Sequence, residues 1–464
     1  MMRHHIPIGL TVSAVLLVPA NLALVSPPKA RAQNASPVEA APMRLTLPAA
    51  IDLAMAHNHK LELAHLSVRD QEEQKRVAQS HFYPVIRNES ATLHITELEG
   101  VVLPAGVLSH GTSAGPIPAE TLRIDQGATT TYTSGTGLDQ PLTQMFKIHA
   151  GVKAANADLH NAQIQARDNE NSIALEVHQL YYNYLIEQLQ GSAAQDAVSA
   201  ATTAEDENKR ALEDGKLLAD AELASRATLL DQQRAVLESK LNLDDLTLKL
   251  DDALGLTMGT KFTLDADSVG DAPAFPSRAE AIAEVLAKNP GVLAAQQSVE
   301  KAKAGISAAH DAYVPNITGI ARYSYQSGLP FFAHNFGTFG ASLTYDLFDG
   351  GAREANARDA KVKLSMAQAQ LAQAEDDARI QISAAYDKAE ELEQLLKVAS
   401  QTLDAREESV RIQSQRAEVQ AELASGVANA RAAVTTAKVN ILEAKLGLYL
   451  AHNNVLRLLG ERPR

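Results

Sequence analysis

The chain has no cysteine and no tryptophan in its 464 residues. Without cysteine it can form no disulfide, thiolate zinc site, iron–sulfur cluster or cysteine nucleophile. Aromatic residues make up only 4% of the chain, thin for a large mixed core. A basic surplus is missing too: 42 Lys and Arg stand against 56 Asp and Glu, a net charge of −14. That sign argues against a nucleic-acid groove, which needs a basic footprint. Mean hydropathy of −0.15 is too low for a bundle of membrane-spanning helices. What remains is a long, acidic, alanine-rich chain of helix-forming composition.

Arg3, His4 and His5 precede an apolar run from Ile8 to Val18, shorter than the ~20 residues a spanning helix needs. Pro27, Pro28 and the small-x-small site Ala30-Arg31-Ala32 follow. This predicts a secretory signal peptide over 1–32, cleaved before Gln33, and then a short extension over 33–44. Beyond Gln33 no apolar stretch reaches ~18 residues. The mature chain is therefore expected either free outside the cytoplasm or in a membrane by way of β-strands.

An internal duplication organises the rest. Residues 50–86 fall on 281–317 without a gap: Ala50-Ile51 on Ala281-Ile282, Asn58 on Asn289, Pro84 on Pro315. Residues 138–255 fall on 343–460 in the same way: Leu138 on Leu343, Tyr181 on Tyr386, Gly255 on Gly460. The first copy carries extra residues near 98–127, where Gly100, Pro104, Gly106, Gly111, Gly115, Pro116 and Pro118 predict a loop. The expected layout is a first repeat over 45–255, a linker over 256–275, a second repeat over 276–460 and a tail over 461–464. Each repeat reads as helix, helix, strand, strand, long helix, long helix.

From Gly351 to Gln420 there is no proline, and apolar residues recur at heptad spacing. One row is Leu371, Ala378, Ala385, Leu392 and Ala399; another is Ile382, Ala389, Leu396, Leu403 and Val410. A helix of that length belongs to a coiled coil or helical tube. Return helices are predicted to end at Gly255 and Gly460, where left-handed caps are expected. Strands are predicted over 85–97, 128–141, 316–326 and 336–347. Over 316–326 and 339–347, Tyr323 and Tyr325, then Phe339, Leu343, Tyr345 and Leu347, alternate with polar residues, with Ile320 the one apolar residue in the polar row. That alternation is the pattern of membrane-spanning β-strands, with the named residues toward lipid. Phe331, Phe332, Phe336 and Phe339 are candidates for an aromatic girdle. Four strands cannot close a barrel, and open edges are not tolerated in lipid. Three chains would supply twelve strands.

The order of these features resembles the TolC family of outer-membrane efflux proteins. The residues that carry the resemblance are Lys288-Asn289-Pro290, Pro315, Leu347-Phe348-Asp349-Gly350-Gly351 and Tyr386, with His57-Asn58-His59, Pro84, Gln140-Pro141-Leu142 and Tyr181 as first-copy counterparts. It implies a homotrimer with a twelve-stranded outer-membrane β-barrel joined to a periplasmic α-helical barrel. It further implies a passive duct docked by a periplasmic adaptor protein onto an inner-membrane pump. A branch of the family with an acylated N-terminal cysteine is excluded by composition.

No catalytic constellation and no cofactor motif stands out, so no enzyme is expected. His57 and His59 flank a turn and lack a third ligand at metal spacing; Gly135-Thr136-Gly137 lacks the third glycine of a dinucleotide loop. Asp214, Asp220 and Glu222 flank one predicted turn between long helices, and Glu418 and Glu422 the other. Threefold symmetry would make them acidic rings at a periplasmic aperture, which favour cations; plain solvated helix ends are the competing reading. A non-conducting trimeric coiled-coil stalk or periplasmic spacer is the rival to a duct.

Overall fold

In a computed structural model of the chain, the described residues are 43–96, 100–113, 115–124, 128–265, 276–328, 333–419 and 423–462. The expected signal peptide, most of the extension, Phe331, Phe332, Gln420 and Glu422 lie outside them. In chain order the first repeat contains β1 (Met43–Leu45), α1 (Leu47–His57), α2 (His59–Ser80), β2 (Val85–His94), four short strands β3 (Val101–Leu103), β4 (Ser109–Thr112), β5 (Gly115–Ile117) and β6 (Leu122–Ile124), then β7 (Thr130–Pro141), α3 (Met145–Glu213) and α4 (Ala219–Leu254). After it come β8 (Phe262–Leu264), α5 (Arg278–Lys288), α6 (Pro290–Asp311), β9 (Asn316–Ser327), β10 (Asn335–Thr344), α7 (Ala352–Glu418) and α8 (Ala424–Leu458). The helices α3 and α7 span 69 and 67 residues, roughly 100 Å each at 1.5 Å per residue.

The helices stand in four parallel columns. α2 and α4 share one column end to end, and both pack on α3; α6 and α8 share another, packing on α3 from its other side and on α7. The column order is therefore α2/α4, α3, α6/α8, α7. The strands repeat it: the four-stranded antiparallel sheet runs β2, β7, β9, β10. Each strand continues the column it adjoins in sequence. One edge of both layers belongs to the first repeat (β2 and α2/α4), and the other to the second (β10 and α7).

The break in each composite column is built from the duplicated asparagines and glycines. Asn58 caps α2 by accepting from the Lys60 and Leu61 backbone N–H groups, while its Nδ2 donates to Ala253 O at the end of α4, at 2.9 Å. Asn289 does the same for α6 through Gly291 and Val292, reaching Leu458 O at 3.0 Å. Gly255 and Gly460 adopt φ of 66° and 70° and end the return helices in paired backbone bonds back to the last turn. A side chain there would strike the end of a short helix: a Cβ at Gly255 would lie 2.4 Å from the carbonyl oxygen of His57, the last residue of α1, and one at Gly460 2.7 Å from that of Lys288, the last residue of α5. The two apolar clusters sit at these joints. One gathers Leu45, Ala54, Val177, Tyr181, Leu250 and Leu254; the other Ala281, Val285, Val292, Ile382, Tyr386 and Val455.

Three expectations need correction. The segment 98–127, predicted as a loop, contains two small antiparallel pairs, β3 with β6 and β4 with β5. The extension and the linker both contain a strand, and β1 pairs in parallel with β8. Tyr181 fastens this pair to α3: its hydroxyl donates to Leu45 O at 2.8 Å and accepts from Asp265 N at 2.9 Å. Finally, the last strand stops at Thr344, so Tyr345 and Leu347 are not strand residues. Tyr345 is drawn off by Arg353, whose guanidinium stacks 4.8 Å from its ring centroid.

Candidate functional site: strand faces and helix tips

Register assigns every side chain of the four long strands to a face. Tyr323 pairs with Gly337 and Thr136, Ala321 with Phe339 and Leu138, and Ile317 with Leu343. These residues, with Tyr325, Tyr132, Ser134, Ile86, Asn88, Ser90, Thr92 and His94, share one face. No Asp, Glu, Lys or Arg of β2, β7, β9 or β10 lies on it. All four such residues, Arg87, Glu89, Asp139 and Arg322, occupy the opposite face. Phe336 pairs with Ser324 and shares that charged face, so it cannot join Phe339 in a girdle on the uncharged one. They stand three positions apart, an odd number, and strands alternate with period 2.

The polar groups on the uncharged face are matched across strands. Asn88 Nδ2 donates to Thr136 Oγ1 at 2.9 Å, the Ser90 and Ser134 hydroxyls are 2.8 Å apart, and His94 Nδ1 lies 2.9 Å from Thr130 Oγ1. Such pairing lowers the cost of taking these groups out of water. In the second repeat the same face is apolar instead, with Phe339 almost bare of cover within the chain and Leu343 largely exposed.

The Leu347-Phe348-Asp349-Gly350-Gly351 segment turns strand β10 into α7. Gly350 and Gly351 both have positive φ, 68° and 85°. Asp349 then caps the helix, accepting from Gly351 N at 3.0 Å and from Arg353 N and Nε at 3.1 and 2.9 Å. Burial raises the Asp349 pKa, but the hydrogen bonds from Arg353 and Gly351 outweigh it and hold the carboxyl below its ordinary value.

At the far end the chain turns twice. Asp214 caps α3 and its carboxylate pairs with Lys216 Nζ at 2.9 Å; Asp220 and Glu222 stand in the first turn of α4. Glu418 is the exposed last residue of α7. Among the described residues no hydrogen bond or ion pair joins the first three to Glu418. What does join the two turns is a residue with no sequence signal: Glu207 of α3 accepts from Ser425 N at 3.3 Å and from Ser425 Oγ at 2.5 Å, at the start of α8. No helix is long and apolar enough to cross a membrane among the described residues.

A family model described as outer membrane efflux protein matches residues 50–256 and 281–461. The chain belongs to that family. As an outer membrane efflux protein it is a channel of the outer membrane with a helical portion reaching into the periplasm, and its family is one of channels rather than enzymes. The two matched blocks coincide with the two repeats and leave out the linker that holds β8. It is 25% identical over 360 residues to the outer membrane efflux protein BepC of Brucella suis biovar 1 (strain 1330), covering 74% of this chain and 70% of that one. The fold is also that of the CmeC outer membrane channel of Campylobacter jejuni, with a TM-score of 0.72, 16% identity and coverage of 89% and 85%. The open state of the MtrE outer membrane channel of Neisseria gonorrhoeae gives a TM-score of 0.70, 17% identity and 90% of both chains.

Proposed function

We propose that three copies of this efflux protein close head to tail into a passive duct, with a twelve-stranded barrel in the outer membrane above a tube of twelve helical columns. The observation that carries this is the shared column order, with a first-repeat edge and a second-repeat edge open in both layers. An open sheet edge in lipid leaves N–H and C=O groups unpaired at several kcal/mol each, so β2 must find a partner, and the β10 of another copy has the complementary position. The helical edges agree. Leu223, Leu230, Leu237, Leu241 and Leu248 are exposed along α4, and Met366, Ile380, Leu395, Val398 and Ile412 along α7. Their near-heptad spacing suits a coiled-coil seam between copies.

In this reading Tyr323, Tyr325, Phe339 and Leu343 face lipid and the charged face lines the lumen. A periplasmic adaptor protein and an inner-membrane pump engage the helix tips, where Asp214, Asp220, Glu222 and Glu418 form the aperture. Mass measurement in detergent is expected to give a trimer that conducts in planar bilayers, and a stable monomer would end the proposal. Phe339→Arg, midway along β10, should cost about 2–4 kcal/mol of insertion free energy, while Thr338→Arg on the opposite face should be tolerated. Equal damage from both would mean that the assignment of the faces is wrong.

A further inference from the structure

The charged face of the strands has an order of its own. Arg87 pairs with Gly137, and Gly137 with Arg322, so both arginines stand at one level of the sheet, flanking a glycine. Arg322 then leans across β7 toward β2, and its Nη1 reaches Glu89 at 3.6 Å. Arg87 Nη1 lies 3.8 Å from the same carboxylate. The crossing is allowed only by Gly135, where a Cβ would lie 2.6 Å from Arg322 Nε and 2.8 Å from its Nη2. Glycine weakens a strand interior and often marks a close approach by another group; here that group is a guanidinium. The two arginines thus share one carboxylate, which leaves one positive charge per chain in the cluster. Asp139 stands two residues along β7 from Gly137, a separate acidic level toward the helices.

We propose that Arg87 and Arg322 are the solute-selecting residues of the barrel lumen, a basic level that favours anionic solutes and hinders cations. The inference rests on the closed-duct reading, which puts this face inside. Three copies bring six guanidinium groups to one level, with only three Glu89 carboxylates to share among them. Rings of charged side chains select by sign, and arginine rings favour anions. The guanidinium fork also suits carboxylate and phosphate groups geometrically.

The test is the reversal potential of the purified full chain in planar bilayers under a potassium chloride gradient. Arg87→Gln with Arg322→Gln is expected to lower the chloride-to-potassium permeability ratio by about twofold or more, and Glu89→Gln to raise it. An unmodified protein that forms no conducting channel would overturn the duct reading and this inference together. A conducting channel whose ratio is the same in the double variant overturns this inference alone. Because the chain has no cysteine, single cysteines give a second measurement, of accessibility in place of selectivity. Arg322→Cys should react with a membrane-impermeant, anionic methanethiosulfonate added to the aqueous phase, with a fall in current, and Phe339→Cys should not. The reverse pattern would place the arginines outside the lumen and sink the assignment.

Discussion

The two repeats can be compared joint against joint and strand against strand. At the joints they agree in detail: Asn58 and Asn289 each cap a helix and each reach the end of a return helix, at 2.9 and 3.0 Å, beside Gly255 and Gly460 in the same left-handed conformation. At the strands they diverge. The uncharged face carries Tyr323, Phe339 and Leu343 in the second repeat, but Asn88, Ser90 and Thr136 in the first, where hydrogen bonds between neighbouring strands compensate. The joint is a close contact between helix ends and tolerates one solution. A strand face needs only to be free of charge and of unmatched polar groups, and two different compositions meet that condition. The start of the long helices also differs. At α7 the Asp349 carboxylate, two residues ahead of the N-cap Gly351, accepts from Arg353 N, whereas the N-cap of α3, Gln144, makes no side-chain cap bond.

The sharpest way to break the comparison is at the glycines. Gly255→Val must accept a strained φ and a clash with the His57 carbonyl, and is expected to cost about 3–4 kcal/mol. Gly460→Val, with a looser 2.7 Å approach near the end of the chain, should cost less. Thermal unfolding in detergent, followed by loss of helical circular dichroism, measures both; equal shifts would mean that the clash with His57 adds nothing.

A second contrast lies at a position where the copies differ, His178 in the first and Ser383 in the second. His178 is fully buried, with its ring 5.2 Å from Tyr449 and near Tyr182, and neither ring nitrogen has a hydrogen-bond partner among the described residues. Burial pushes its pKa from the ordinary 6.5 down to about 4. The unfolded chain therefore takes up a proton first as pH falls. The stability due to neutral His178 is complete above about pH 6.5 and is lost progressively down to about pH 4, a change of roughly 3 kcal/mol. His178→Ser should remove that part of the slope. Parallel stability profiles for variant and parent between pH 7 and 4 would count against it.

The smallest expected effect is at the caps. Asn58→Ala and Asn289→Ala each remove the acceptor for two backbone N–H groups and one bond to a return helix, and each should lower stability by about 1–2 kcal/mol. Denaturant titration of the two variants and the pair would show whether the joints contribute equally.

Much of this was legible in the residues themselves. The heptad rows place Ala378, Ile382, Ala385 and Ala389 inside, and they are buried; the alternation through Tyr323 and Phe339 gives strands paired in the register that keeps those residues on one face. Tyr345 was misplaced because period-2 alternation continues past Thr344 in the sequence, while a cation–π contact holds its ring against Arg353, the second residue of α7. β1 and β8 were missed because three-residue strands carry no periodicity.

By itself, the sequence determined the duplication, the long unbroken helices, the helix caps at glycine and the period of the strands, because these follow from local steric preference and from residues a few positions apart. Tertiary structure alone decided which columns are neighbours, that Ser90 lies on the same face as Phe339, and that Arg322 reaches Glu89 over Gly135. Those facts join residues scores to hundreds of positions apart. Their contacts depend on how the columns pack and on the register between strands, neither of which any local pattern encodes.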